Sequence, residues 1–266
     1  MRPYVFQTSL YSLRWENVAI VVGIVAGVWL AFRRAAPKGG AYQDMILDLS
    51  LYLVLAGIAG ARIWEMAFTW NEYVDAPWER FAIWNGGMSI QGGILGGLTA
   101  VLIFAWRRRL RVWQLLDVLA PPVILGQAIG RVGCFLSGDA FGRPIAQLPW
   151  LPTWLGVTYA RETPAWYAFG ATPLVPAEVF EMVLDLVILA FLLLYKPRRA
   201  VPGRVVLTYA ILYSAARFAL EFLRADSLRV GGLKAAQVLS IAVMVLSGLL
   251  MASRYRTSGT TNKAAG

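Results

Sequence analysis

Asn17-Val18-Ala19-Ile20-Val21-Val22-Gly23-Ile24-Val25-Ala26-Gly27-Val28-Trp29-Leu30-Ala31-Phe32 carries no charge and no proline, and it closes on Arg33-Arg34. A hydrocarbon core about 30 Å thick is crossed by about 20 mostly apolar helical residues. With Glu16 at its start, this run therefore reads as a membrane-spanning helix over 16–32. The same ruler finds six more candidates, at 45–68, 89–106, 112–135, 175–195, 205–223 and 233–253. The expected fold is all-α and integral to the membrane, with seven transmembrane helices and a small outer-face cap between helices four and five. Residues 1–256 are expected to form a single membrane domain, and 257–266 a disordered cytoplasmic tail. Residues 1–15 lack the charged, apolar, small-residue order of a cleaved signal peptide, so the first span is expected to remain in the mature protein.

Composition agrees with that reading. Of 266 residues, 58% are hydrophobic and 15% charged, against roughly a quarter charged in an ordinary soluble domain. A soluble fold is excluded. The formal charge is +10, which in a polar chain would suggest nucleic acid, but the positions of the positives explain it differently. Arg33, Arg34, Lys38, Arg107, Arg108, Arg109, Arg111, Lys196, Arg198, Arg199, Arg204, Arg254, Arg256 and Lys263 fall on one side of the seven-span reading, 14 of 25. Eight fall on the other side, and Arg62, Arg131 and Arg217 lie within spans. The positive-inside rule then puts the amino terminus outside and the carboxyl terminus in the cytoplasm. The high pI is topological, and no nucleic acid is called for.

The connection 137–174 is too long for a hairpin turn. It mixes Pro144, Pro149, Pro152, Pro164 and Pro173 with Trp150, Trp154, Tyr159, Trp166 and Tyr167. That is too aromatic for a disordered linker, and it reads either as an ordered cap with rings at headgroup level or as an aromatic-belt loop. No internal repeat suggests a transporter built from two halves.

There is one cysteine, Cys134, and no histidine. An intramolecular disulfide, a Cys/His zinc site and a histidine base are all excluded. Chemistry must run on the remaining polar groups, and several stand where charge is expensive. A charge at the bilayer centre costs about 2.5–3.5 kcal/mol or more, so each one is either paired or functional. Arg217, Glu221 and Arg224 recur at i, i+4 and i+7, and Glu178, Glu181 and Asp185 at i, i+3 and i+7. Each set predicts one helical face. Arg131, with Arg62 and Glu65, completes the intramembrane charges.

Arg131 sits in Gly130-Arg131-Val132-Gly133-Cys134-Phe135-Leu136-Ser137-Gly138-Asp139-Ala140-Phe141-Gly142. Glycines at the end of a span allow close approach of backbone to a ligand, and an arginine fork suits phosphate. A second stretch, Trp84-Asn85-Gly86-Gly87-Met88-Ser89-Ile90-Gln91-Gly92-Gly93, opens the third span. Gly92 with Gly96, and Gly93 with Gly97, have the spacing of close helix packing.

These residues resemble the bacterial prolipoprotein diacylglyceryl transferase family, whose signature reads G-R-x-G-N-F-x-N-x-E-x-x-G. The chain matches its glycines, Arg131 and Phe135 at the same spacing. Gly60-Ala61-Arg62, Trp84 with Gly86 to Ser89, Pro176 with Glu181, Arg217-Phe218 with Glu221 and Arg224, and Gln237 with Ser240 follow in family order, so the resemblance covers nearly the whole chain. It implies an enzyme of the bacterial inner membrane that alkylates the lipobox thiol in the signal peptide of prolipoproteins with phosphatidylglycerol, releasing glycerol phosphate. It implies neither a metal nor a cofactor; the partners are membrane lipid and the prolipoprotein.

The catalytic set it implies is Arg131, Arg217, Asp139, Glu221 and Gln91. The arginines would meet charge developing on the leaving phosphate, and Glu221 or Asp139 would orient them or take the thiol proton. Arg131, Gly133, Ser137, Gly142, Arg62 and Arg224 are implied as substrate-binding. The chain departs from the pattern at Cys134 and Ser137, where the family has asparagine, at Asp139 for glutamate, at Gln91 for histidine and at Val175 for histidine. Glutamine takes no proton at neutral pH, so Gln91 is expected to orient substrate by hydrogen bonding. The alternatives are a non-catalytic or differently specific member binding anionic lipid, and a transporter or channel lined by the intramembrane charges.

Overall fold

The computed structural model describes residues 4–7, 12–74, 77–80, 87–195, 201–225, 229–230 and 232–263. Trp84, Asn85 and Gly86 of the second glycine-rich stretch, Lys196, Arg198 and Arg199 of the charge census, and tail residues 264–266 lie outside them. The chain divides into two compact units, Val28–Val118 and Met1–Gly27 with Leu119–Gly266.

The long helices stand close to the positions that hydropathy assigns. They are α1 (Trp15–Ala35), α2 (Gly40–Phe68), α3 (Ile90–Arg107), α4 (Val112–Ser137), α6 (Ala177–Leu194), α7 (Arg204–Leu220) and α8 (Ala235–Lys263), with the short α5 (Pro164–Phe169) between α4 and α6. Among the described residues, five segments are long and apolar enough to cross a membrane: Trp15–Lys38, Gly40–Phe68, Ile90–Arg107, Val112–Ser137 and Ala235–Arg254. The 18 residues of α6 include Glu178, Glu181 and Asp185, and α7 has only 17 residues. Helical backbone in α8 continues to Lys263, past the point where the membrane domain was expected to end. Large apolar side chains such as Val21, Val25 and Trp29 on α1 and Leu239, Val245 and Leu249 on α8 are exposed. Faces of this kind need an apolar surrounding.

Within the unit Val28–Val118, α2 and α3 pack through small residues. A Cβ at Gly92 or Gly96 would strike the carbonyl oxygen of Gly60 or Ala56, so the helices meet backbone to backbone. Spacing of small residues is what permits this in a bilayer, where burying apolar surface gives no net drive.

In the other unit, the first half of α1 lies on α4. Gly23 opposes Gly126, Gly27 meets the Pro122 carbonyl, and Gly133 abuts Ala19 and the Glu16 backbone. Pro121 and Pro122 are accommodated inside α4. Before α1, strands β1 (Tyr4–Gln7) and β2 (Ser12–Arg14) form a small antiparallel pair.

Residues 138–176 are ordered. A turn of 3-10 helix at Ile145–Gln147, another at Thr153–Leu155, and α5 are tied by backbone pairing of Pro144 and Val157 with Leu174. α5 starts on Pro164, and the Thr163 hydroxyl caps it by accepting from the Trp166 N–H at 3.3 Å, an ordinary N-cap. Phe141, Tyr159, Ala165 and Leu174 form one small core; Ile145, Leu148, Val175, Leu220 and Leu223 form another. The expected span 205–223 is shortened, because α7 stops at Leu220 and the chain turns over 221–223. Arg224 then pairs antiparallel with Gly142.

Candidate active site

The acids of α6 project from one face, and all are buried: Glu178 at 0%, Glu181 at 2% and Asp185 at 1% exposure. Glu181 is the junction. Its Oε1 lies 2.6 Å from Nη2 of Arg131 on α4, and its Oε2 lies 3.7 Å from Arg217 on α7 and 3.7 Å from Arg224 beyond α7. Arg217 also reaches Glu221 at 3.0 Å. Arg131 and Arg217, assigned to one site from sequence, therefore share a carboxylate, and Glu221 holds one of them as expected. Arg224 does not reach the cluster as a third turn of the same helix. It enters from the extended segment after α7, held by its pairing with Gly142.

Three guanidiniums and two carboxylates are joined by these ion pairs, packed where neither sign is cheap alone. Such an array can exchange carboxylate for phosphate on the arginine forks without bringing charge into water.

The remaining α6 acids differ from each other. The Tyr159 hydroxyl donates to both oxygens of Glu178, at 3.1 and 3.0 Å, tying the 138–176 segment to α6. Burial, and the Glu178 carboxylate beside it, push the Tyr159 phenol well above its ordinary range, so it remains a donor. Both oxygens of Asp185 are buried with no hydrogen-bond partner among the described residues.

Other residues singled out by sequence lie outside the ion pairs of this junction. Gly142 is required by packing, since a side chain would strike the Val175 carbonyl oxygen, and its N–H donates to that oxygen at 2.9 Å. Gly133 is likewise filled by its helix contacts. Ser137 is fully buried, with no hydrogen-bond partner for its hydroxyl among the described residues. Asp139 lies 3.4 Å from Arg14 at the end of β2, and Arg14 lies 3.9 Å from Glu16. Thus the ion pair that the described residues give Asp139 is with Arg14, not with Arg131 or Arg217.

Arg62 and Gln91 belong to the unit Val28–Val118. Arg62 is buried and donates to the carbonyls of Arg80 at 3.2 Å and Gly87 at 2.7 Å, tying both to α2. Gln91 is exposed, and its Oε1 accepts from the Ser89 hydroxyl at 2.6 Å. Among the described residues no group of three or more Cys, Asp or Glu is placed to hold a metal ion.

The residue that sequence reading left out of the site is Glu181. Its signal was present: a stripe of buried acids must meet cations, and the arginines needing counter-charge lie on neighbouring spans.

A model of the prolipoprotein diacylglyceryl transferase family matches residues 3–253. A phosphatidylglycerol–prolipoprotein diacylglyceryl transferase from Thermosynechococcus vestitus is 40% identical over 242 residues, covering 90% of this chain and 88% of the relative. One from Gloeobacter violaceus is 37% identical over 250 residues, with 93% and 90% covered. One from Streptococcus equi subsp. equi is 32% identical over 261 residues, with 97% of both covered.

Proposed function

The chain belongs to the prolipoprotein diacylglyceryl transferase family, and we propose that it moves the diacylglyceryl group of phosphatidylglycerol onto the lipobox cysteine thiol of prolipoproteins. The observation that carries this reading is the Glu181 junction, where arginines from α4, α7 and the segment after α7 share one buried carboxylate.

The thiol sulfur attacks the glyceryl carbon that bears the phosphate. A carbon–sulfur bond forms as the carbon–oxygen bond breaks, and the bonding pair leaves on oxygen as glycerol phosphate. Arg131 and Arg217 meet the negative charge that grows on that phosphate, with Arg224 as third cation. By comparison with loss of one preorganised donor, each of the first two is worth about 3 kcal/mol in the barrier.

Before lipid binds, Glu181 and Glu221 hold the guanidinium forks in place. When phosphate takes over the forks, Glu181 is left without its counter-charges and takes the thiol proton. Asp139, beside Arg14, is the carboxylate of the 130–142 segment, and Asp139→Asn separates its contribution from that of Glu181.

The protein is a multi-pass protein of the bacterial cytoplasmic membrane. Seven helices span it within one membrane domain over 1–256, with the amino terminus and the 137–174 cap outside and the 107–111 connection and carboxyl terminus inside. Support comes from the 14 to 8 distribution of Lys and Arg and from the ordered 138–176 segment. The test is mass spectrometry of a lipobox peptide incubated with purified protein and phosphatidylglycerol. A diacylglyceryl mass gained on cysteine is the expected result; an unmodified peptide sinks the reading.

A further inference from the structure

The 143–147 turn, the end of α5, the segment after α7 and the start of α8 with the residues before it line a half-open cavity of about 380 Å³, which the reaction described above touches only through Arg224. Its size falls in the range of small-molecule sites. Arg143, Arg224 and Lys234 line it, and no acidic residue is among the described residues that line it. Each cation is fixed locally. Arg143 donates through Nε and Nη2 to Gln147 Oε1 at 3.3 and 3.1 Å. Lys234 Nζ caps the end of α7 by donating to the carbonyls of Glu221 and Arg224, the latter at 2.7 Å. Arg224 is buried and extends from this wall to Glu181.

The decisive group is Gln237, which is 3% exposed. Its Oε1 accepts from the Lys234 backbone N–H at 3.1 Å, which fixes the orientation of the amide. Its Nε2 is buried with no hydrogen-bond partner among the described residues, and Gln237 is one of the residues that line the cavity. A buried donor left in this way carries an uncompensated desolvation cost, and a ligand acceptor removes it. Cations suited to phosphate, together with amide groups suited to hydroxyls, describe a small phosphate ester that bears hydroxyl groups.

We propose that this cavity is a binding site for a hydroxyl-bearing phosphate monoester, namely the glycerol phosphate released by the transfer reaction. The identity of the ligand rests on the transferase reading; its chemical class rests on the cavity itself. Arg224, shared between Glu181 and the cavity wall, gives the leaving phosphate a second cation to move toward as it departs. Occupation of the cavity makes glycerol phosphate a product inhibitor that does not displace the groups performing the transfer.

The test uses full-length protein in phosphatidylcholine nanodiscs and equilibrium dialysis with labelled glycerol phosphate. The expected result is saturable binding that weakens tenfold or more in both Gln237→Leu and Arg143→Ala, and that inorganic phosphate competes for poorly. Arg143 is exposed, so Arg143→Ala keeps the test decisive if Gln237→Leu fails to fold. In turnover assays the same variants should raise the inhibition constant of glycerol phosphate tenfold while initial rates without added product stay within twofold. No binding, or binding unchanged in both variants, overturns the proposal. So does equal affinity for inorganic phosphate. Loss of binding in nanodiscs containing phosphatidylglycerol would make a lipid headgroup the occupant and overturns the product site. Transfer without this binding refutes the cavity alone; binding with the variant pattern but without transfer refutes the transferase reading and leaves the cavity standing.

Discussion

Glu181→Gln isolates the charge at the centre of the site while keeping its shape. In the wild type, Glu181 meets Arg131 at 2.6 Å and Arg217 and Arg224 at 3.7 Å each, and Arg217 has a second carboxylate, Glu221, at 3.0 Å. The substitution therefore falls mainly on Arg131. A polar contact to a charged group is worth about 1–1.5 kcal/mol more than the same contact to a neutral one, so exchanging the short ion pair loses about that much. Two longer contacts add a fraction each, for a total of about 2 kcal/mol, roughly thirtyfold in rate at about 1.4 kcal/mol per decade. The full penalty for breaking a buried pair, about 3–5 kcal/mol, is not expected, because Gln keeps a polar oxygen beside Arg131 and Arg131 keeps 19% side-chain exposure. The direction on each kinetic constant also follows. An arginine less tightly held binds phosphate at least as well in the ground state but is less well aimed in the transition state, and the proton acceptor is gone. The assay is steady-state transfer from phosphatidylglycerol to a lipobox peptide. It should show kcat down by at least about thirtyfold, with the lost proton acceptor adding to that loss, and KM not raised; an unchanged kcat, or a loss confined to KM, would refute the reasoning.

Tyr159→Phe removes the hydroxyl that serves both oxygens of Glu178, and should cost about 1–3 kcal/mol of stability, measured by thermal unfolding in nanodiscs. The wild-type phenol ionises in the folded state only well above its ordinary range, so folding is favoured below about pH 10 and that advantage is lost as pH rises further; this alkaline loss should be smaller in Tyr159→Phe. Gly92→Ala would favour an isolated helix by about 1 kcal/mol, but its methyl group meets the Gly60 backbone. Net destabilisation of about 1–3 kcal/mol is expected, and equal or greater thermal stability would contradict the α2–α3 seam. In a Cys134→Ser background, Arg109→Cys and Trp154→Cys should react with a membrane-impermeant maleimide from opposite faces of sealed vesicles, and same-face labelling would overturn the topology.

Much of this arrangement was legible in sequence because membrane physics writes it at low resolution. Apolar length located the helices of the Glu181 site to within a few residues, and the i, i+3, i+7 spacing of Glu178, Glu181 and Asp185 placed them on one face. What periodicity does not carry is which faces meet. Glu181 became the junction only when α4 and α7 were found beside α6, and Asp139 was found with Arg14 because β2 brings a distant segment to the end of α4. The end of α7 at Leu220 was also hidden. Residues 221–223 are as apolar as the helix before them apart from Glu221, and the turn is set by pairing of Arg143 and Gly142 with Leu223 and Arg224. Gly142 reads in sequence like a ligand-binding glycine, and its close approach to the Val175 carbonyl emerges only in the fold. Gln237 shows in sequence only as a position in family order, and its cavity setting emerges only when its amide is seen with one end satisfied.

The central claim is that the arginine junction at Glu181 performs diacylglyceryl transfer, and coupled product stoichiometry tests it most directly. Purified protein would be given phosphatidylglycerol labelled separately in the diacylglyceryl and headgroup glycerol moieties, with a lipobox peptide and its Cys→Ser counterpart. Wild type should yield thioether-linked peptide and glycerol phosphate in equal amounts from the cysteine peptide alone, and Arg131→Ala should lower both about a hundredfold together. Glycerol phosphate released without thioether, transfer to the serine peptide at the same rate, or full activity in Arg131→Ala would contradict the claim.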